Sequence, residues 1–136
     1  MANDSKSILV VDDNQDVRDL VIHFLSAEGF HIFSASDGES ALAILRANHI
    51  DLVLLDVMMP GISGLETLTE IRTGSNKKIR EVPVMMITAR AGTEDIDKAL
   101  ALGANSYIVK PFRGANIREK VHALFGEHLQ DAVKGS

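Results

Sequence analysis

Short apolar runs recur along the chain, and each is followed by a stretch with helical spacing. The first is Ser7-Ile8-Leu9-Val10-Val11, which ends in Asp12-Asp13. A weaker run covers His31 to Ala35. Leu52-Val53-Leu54-Leu55 ends in Asp56, Val84-Met85-Met86-Ile87 in Thr88, and Ser106-Tyr107-Ile108-Val109 in Lys110. The first, third and fourth runs are almost continuously apolar, as parallel strands covered on both faces should be.

Between the runs the apolar period lengthens to that of a helix. Val17, Leu20, Val21, Phe24 and Leu25 make one stripe, which Asp13 or Asn14 could cap and Gly29 could end. Ala41, Leu42, Ile44 and Leu45 mark a second helix, and Leu65, Leu68 and Ile71 a third. Ile96, Ala99 and Leu100 mark a fourth, with Thr93 as cap and Gly103 as stop. Ile117, Val121, Leu124 and Phe125 mark the last. Thr73 to Arg80 is polar and reads as a surface loop, and Gln130 to Ser136 as a frayed tail. Alternating strands and helices predict an α/β fold, a doubly wound sheet with right-handed crossovers.

At 136 residues the chain suits a single domain, 1–136, with a core over about 6–126 and a tail at 127–136. With no cysteine it holds no disulfide, thiolate metal site or cysteine nucleophile. A polar start and the lack of a long apolar run predict a cytoplasmic protein without membrane insertion. The net charge of −5 argues against nucleic acid as a direct partner, because phosphate binding needs a basic face.

The chemistry collects where the strands end. In an open α/β sheet ligands sit beyond the carboxyl ends of the strands. Those ends deliver Asp12, Asp13, Asp56, Thr88 and Lys110 to one rim. Asp12 or Asp13 alone could merely cap the following helix. Together with Asp56 they form an oxygen-only set suited to a hard ion such as Mg²⁺, or Mn²⁺. Asp56 ends the most apolar run and is the candidate nucleophile, since a carboxylate can attack phosphorus to give an acyl phosphate. Lys110 and the Thr88 hydroxyl could each meet a phosphoryl oxygen, and Ala89 leaves room for one.

Other signals carry less. His23, His31, His49, His122 and His128 show no ligand spacing and read as surface or packing residues. Gly61-Ile62-Ser63-Gly64 faintly suggests a nucleophile elbow, but Leu65 stands where a glycine is needed, so Ser63 reads as a helix cap. No dinucleotide fingerprint or P-loop is present.

In order and spacing these residues resemble the receiver domain of two-component response regulators, over essentially Lys6 to Phe125. The matching marks are Val10-Val11-Asp12-Asp13-Asn14, the block Leu54-Leu55-Asp56-Val57-Met58-Met59-Pro60-Gly61, then Gly64, Ile87-Thr88-Ala89 and Lys110-Pro111-Phe112. The resemblance, to stand-alone regulators of the chemotaxis kind, implies a flavodoxin-like three-layer sandwich around five parallel strands in the order 2-1-3-4-5. It implies that Asp56 accepts a phosphoryl group from a phosphohistidine on a sensor histidine kinase or histidine phosphotransfer protein. Mg²⁺ would be held by Asp13, Asp56 and the Met58 backbone carbonyl, with Asp12 acting through water. Thr88 and Tyr107 would be the switch pair, Thr88 moving toward the phosphoryl group while Tyr107 turns inward.

Met58 and Arg90 would flank the route of the hydrolytic water and set the phosphoryl lifetime. The expected function is a phosphorylation switch without an attached output domain. It catalyses only its own phosphorylation and dephosphorylation, and acts on an unknown downstream protein as a monomer or a weak phosphorylation-dependent dimer. Two other readings stand beside it: a metal-dependent phosphohydrolase with an aspartyl nucleophile, and a receiver-like interaction module that is never phosphorylated. The first is disfavoured because Met58 sits where such an enzyme needs a second Asp.

Overall fold

The computed structural model describes residues 6–89 and 94–126. The strands are β1 (Ser7–Val11), β2 (His31–Ala35), β3 (Leu52–Asp56), β4 (Val84–Thr88) and β5 (Ser106–Val109). They form one sheet in the order β2-β1-β3-β4-β5, and every pairing is parallel. The helices are α1 (Gln15–Ser26), α2 (Gly38–Ala47), α3 (Gly64–Thr73), α4 (Lys77–Arg80), α5 (Glu94–Ala101) and α6 (Gly114–Leu124). Each later strand is reached through a helical crossover, as parallel pairing requires.

Side-chain alternation along the strands splits the core into two layers. Leu9, Val11, Val53, Leu55, Val84 and Met86 face one side with Ala41 and Leu45 of α2, Leu68 and Ile71 of α3, and Ala99 of α5. Ile8, Val10, Leu52, Leu54, Met85 and Ile87 face the other with Val21 and Leu25 of α1 and Ile117 and Val121 of α6. That two-sided burial explains why β1, β3 and β4 read as unbroken apolar runs. The edge strand β2 keeps only Ala35 fully buried, which explains its weaker pattern.

The helix ends follow local chemistry. Asn14, rather than Asp13, caps α1, its Oδ1 accepting from the Asp16 and Val17 amides at 2.8 and 3.2 Å. Ser63 and Glu66 form a reciprocal capping box on α3, at 3.1 and 2.9 Å. At α6 the cap is reversed: Arg113 has no side-chain acceptor, and its own amide donates to Asn116 Oδ1 at 3.2 Å. Gly29 and Gly103 take positive φ of 92° and 106° after α1 and α5.

Two expectations need correction. The stretch expected to be a loop over 73–80 contains α4, a single turn started by Asn76, whose side chain accepts from the Lys78 and Ile79 amides. One turn is too short to display a hydrophobic period, so its polar composition hid it. The apolar residues that mark α5 are not all covered: Ile96 and Ala99 are buried, but Leu100 is 45% exposed. Thr93 and the tail at 127–136 lie outside the described residues.

Candidate site at the carboxyl ends of the strands

Two adjacent strands bring the acids together. Asp12 and Asp13 follow β1, and Asp56 closes β3 beside it in register. One carboxylate oxygen from each of Asp12, Asp13 and Asp56 lies within 4.8 Å of the others. Their environments differ sharply: Asp12 is fully buried, Asp56 is 4% exposed, and Asp13 is exposed.

Asp12 is anchored at most of its polar atoms. Its amide donates to the Ala35 carbonyl at 3.2 Å, and its Oδ1 accepts from the Asn14 amide at 2.8 Å. Its Oδ2 lies 2.9 Å from Lys110 Nζ, which also stands 3.6 Å from Asp56 Oδ2. The Asp12 contact is an ion pair outside hydrogen-bond angles, so Oδ2 is a buried oxygen that accepts no hydrogen bond. Lys110 thus bridges the two buried acids.

The remaining residues close the rim. Thr88 ends β4, 5% exposed, and its carbonyl accepts from the Lys110 amide at 2.7 Å. The Lys110–Pro111 peptide bond is cis. Met58 donates its amide to Asp56 Oδ1 at 3.3 Å, while its side chain is 72% exposed beside the site. Tyr107 is half-buried, with Lys120 Nζ 5.1 Å from its ring centre. Arg90 lies outside the described residues.

Crowding these charges changes how tightly they hold their protons. Burial first, then the charge of Asp12 and more weakly that of Asp13, push the Asp56 carboxyl up to about 7 against the pull of Lys110 and the Met58 amide. Burial works to lower Lys110, but its contact with Asp12 and the charge of Asp56 outweigh it and hold the ammonium above its ordinary value. An all-oxygen set of three crowded carboxylates facing one ammonium fits a hard divalent cation, and does not by itself separate Mg²⁺ from Mn²⁺.

Sequence reasoning missed two arginines. Arg18 on α1 donates Nη1 to the Asp12 carbonyl at 2.7 Å. Arg72 on α3 binds carbonyls far from the rim. Neither stands out in sequence, because an arginine on a polar helix stripe does not reveal which carbonyl its fork reaches.

The fold and site have close counterparts. The chain is 40% identical over 124 residues to the chemotaxis protein CheY-3 of Vibrio cholerae, covering 90% of this chain and 94% of that one. It is 41% identical over 134 residues to the transcriptional regulatory protein CpxR of Klebsiella pneumoniae, covering 95% of this chain and 55% of that one. It spans about half the length of several regulatory proteins it matches. Among solved structures, the receiver domain of the sensor histidine kinase PA1611 of Pseudomonas aeruginosa, which has a magnesium ion coordinated in its active site cleft, superposes with a TM-score of 0.80. That match has 28% identity and covers 90% of this chain and 98% of the other. The family profile of the response regulator receiver domain matches residues 8–122. With its parallel 2-1-3-4-5 sheet and the acidic rim above it, the chain belongs to the response regulator receiver domain family.

Proposed function

We propose that the chain is a phosphorylation switch in which Asp56 takes the phosphoryl group from a phosphohistidine on a sensor histidine kinase or phosphotransfer protein. The observation that carries this is the position of Asp56. Its backbone is locked at the end of a buried strand, and its carboxylate lies between two further acids and one ammonium. One Asp56 oxygen forms the O–P bond as the N–P bond breaks, and the protonated imidazole leaves as the neutral ring.

Asp13, Asp56 and the Met58 carbonyl would hold Mg²⁺, with Asp12 acting through water; the clustered carboxylates and the magnesium in the active site cleft of the Pseudomonas receiver domain support a magnesium site here. When bound, the cation offsets the repulsion between the carboxylates and an incoming phosphoryl dianion. Lys110 keeps its proton and meets a phosphoryl oxygen, while the Thr88 hydroxyl meets another. Their response, together with Tyr107, alters the surface offered to a downstream protein. Met58 and Arg90 tune the lifetime of the acyl phosphate by controlling water access. A Met58→Asn or Arg90→Glu variant with unchanged dephosphorylation kinetics would contradict that role.

Incubation with acetyl phosphate and Mg²⁺, followed by intact mass, tests the reading. One acid-stable, base-labile phosphoryl group per wild-type chain and none on Asp56→Asn is expected. Multiple turnover on unrelated phosphate esters would point to a hydrolase, and no adduct on the wild type would point to an interaction module.

A further inference from the structure

Asp12 has four polar atoms, and three of them are held. Ala35 takes its amide, the Asn14 amide takes Oδ1, and Arg18 Nη1 takes its carbonyl oxygen at 2.7 Å. Only Oδ2 is left to face Lys110. The first two contacts come from backbone that the sheet and the turn provide. The third depends on one side chain, half-buried and reaching back from α1 across the β1–α1 turn.

We propose that Arg18 is a positioning residue for cation binding: by gripping the Asp12 carbonyl it fixes the turn that presents Asp12 and Asp13 to the cation. This rests on the reading of Asp12, Asp13 and Asp56 as a cation site. A guanidinium suits the task because it stays charged and its planar fork holds a direction that a flexible ammonium does not. Partners that orient metal ligands from behind typically matter about 10- to 100-fold in metal affinity.

Charge and positioning predict opposite signs, which makes the proposal testable. A cation beside three carboxylates weakens Mg²⁺ binding by repulsion, so its removal should tighten binding if charge were its only effect. If Arg18 positions Asp12, its removal weakens binding instead.

The experiment measures Mg²⁺ affinity calorimetrically on the full chain, and amide hydrogen exchange at Asp13 and Asn14 without metal. The variants are Arg18→Met, Arg18→Lys and a control, Phe24→Leu. Phe24 packs over Gly114 between α1 and α6, so its truncation tests whether loosening α1 alone is enough to weaken binding. Arg18→Met should bind Mg²⁺ about tenfold more weakly and exchange faster at Asn14, with Arg18→Lys between it and wild type and Phe24→Leu unchanged. Equal or tighter binding by Arg18→Met overturns the proposal, as does an equal loss in Phe24→Leu. If the wild type binds no Mg²⁺, the reading of the site fails. The metal-free exchange then still decides the grip: faster exchange in Arg18→Met supports it, and unchanged exchange overturns it.

Discussion

At the amino ends of the strands, polar groups find one another. Asp51 accepts the Ser7 amide at 2.7 Å and pairs with His49 at 2.8 Å. Asn105 Oδ1 accepts from the Val84 amide at 2.9 Å and from Arg72, whose guanidinium also reaches the carbonyls of Arg80, Val82 and Gly103. At the carboxyl ends of the same strands, three acids crowd within 4.8 Å, one buried oxygen accepts no hydrogen bond, and a single lysine bridges two of them. One end satisfies its buried polar groups and closes the fold. The other leaves charge uncompensated, which stability alone would disfavour. Where a fold tolerates that imbalance, a ligand and a reaction are the economical explanation.

The contrast can be broken from the closed end first. Arg72→Ala strips a donor from four acceptors, three of them backbone carbonyls, and should cost about 2–4 kcal/mol by urea denaturation. It should leave Mg²⁺ affinity unchanged; a large loss of affinity would mean that the two ends are not independent.

At the open end, Mg²⁺ at 100 times its dissociation constant should stabilise the chain by about 2.7 kcal/mol, seen as a rise in Tm. Asp13→Ala should abolish that rise while costing little without metal, because Asp13 is exposed. A wild-type Tm indifferent to Mg²⁺ would remove the cation from the account.

A smaller effect isolates the strain in the acidic cluster. Folding raises the Asp56 carboxyl from 3.8 to about 7. Between those values the folded chain binds the extra proton, so stability falls as pH rises through the window and levels off above it. Asp56→Asn escapes that loss. In metal-free buffer its advantage over wild type should grow from pH 4.5 to 7.5 and reach about 1–2 kcal/mol, reduced by screening at the open rim. An advantage that shrinks with pH would reverse the assigned shift. The smallest change is Asn14→Ala, which should cost about 1 kcal/mol through the lost α1 cap and leave phosphorylation intact.

Much of this was readable in the sequence because it rests on local or periodic signals. Unbroken apolar runs gave β1, β3 and β4, and their polar terminators gave Asp12, Asp13, Asp56, Thr88 and Lys110. Ser63, Gly29 and Gly103 announced helix ends through side-chain or backbone preferences that act within a few residues. Long-range pairing was not readable. Nothing in the order of residues says that Lys110 lies 2.9 Å from Asp12 rather than nearest Asp56, or that Arg18 and Arg72 spend their donors on carbonyls. The exposure of Leu100 likewise depends on which face of α5 meets the rest of the fold, which its own period does not encode.

The central claim is that the open end carries its chemistry on one residue. An acyl phosphate on aspartate is reduced by borohydride to homoserine, so the modified position can be read by peptide mass spectrometry. After incubation with acetyl phosphate, homoserine should appear at position 56 alone and only when Mg²⁺ is present. Homoserine at position 12 or 13, or an unmodified position 56 under the same conditions, would contradict the account.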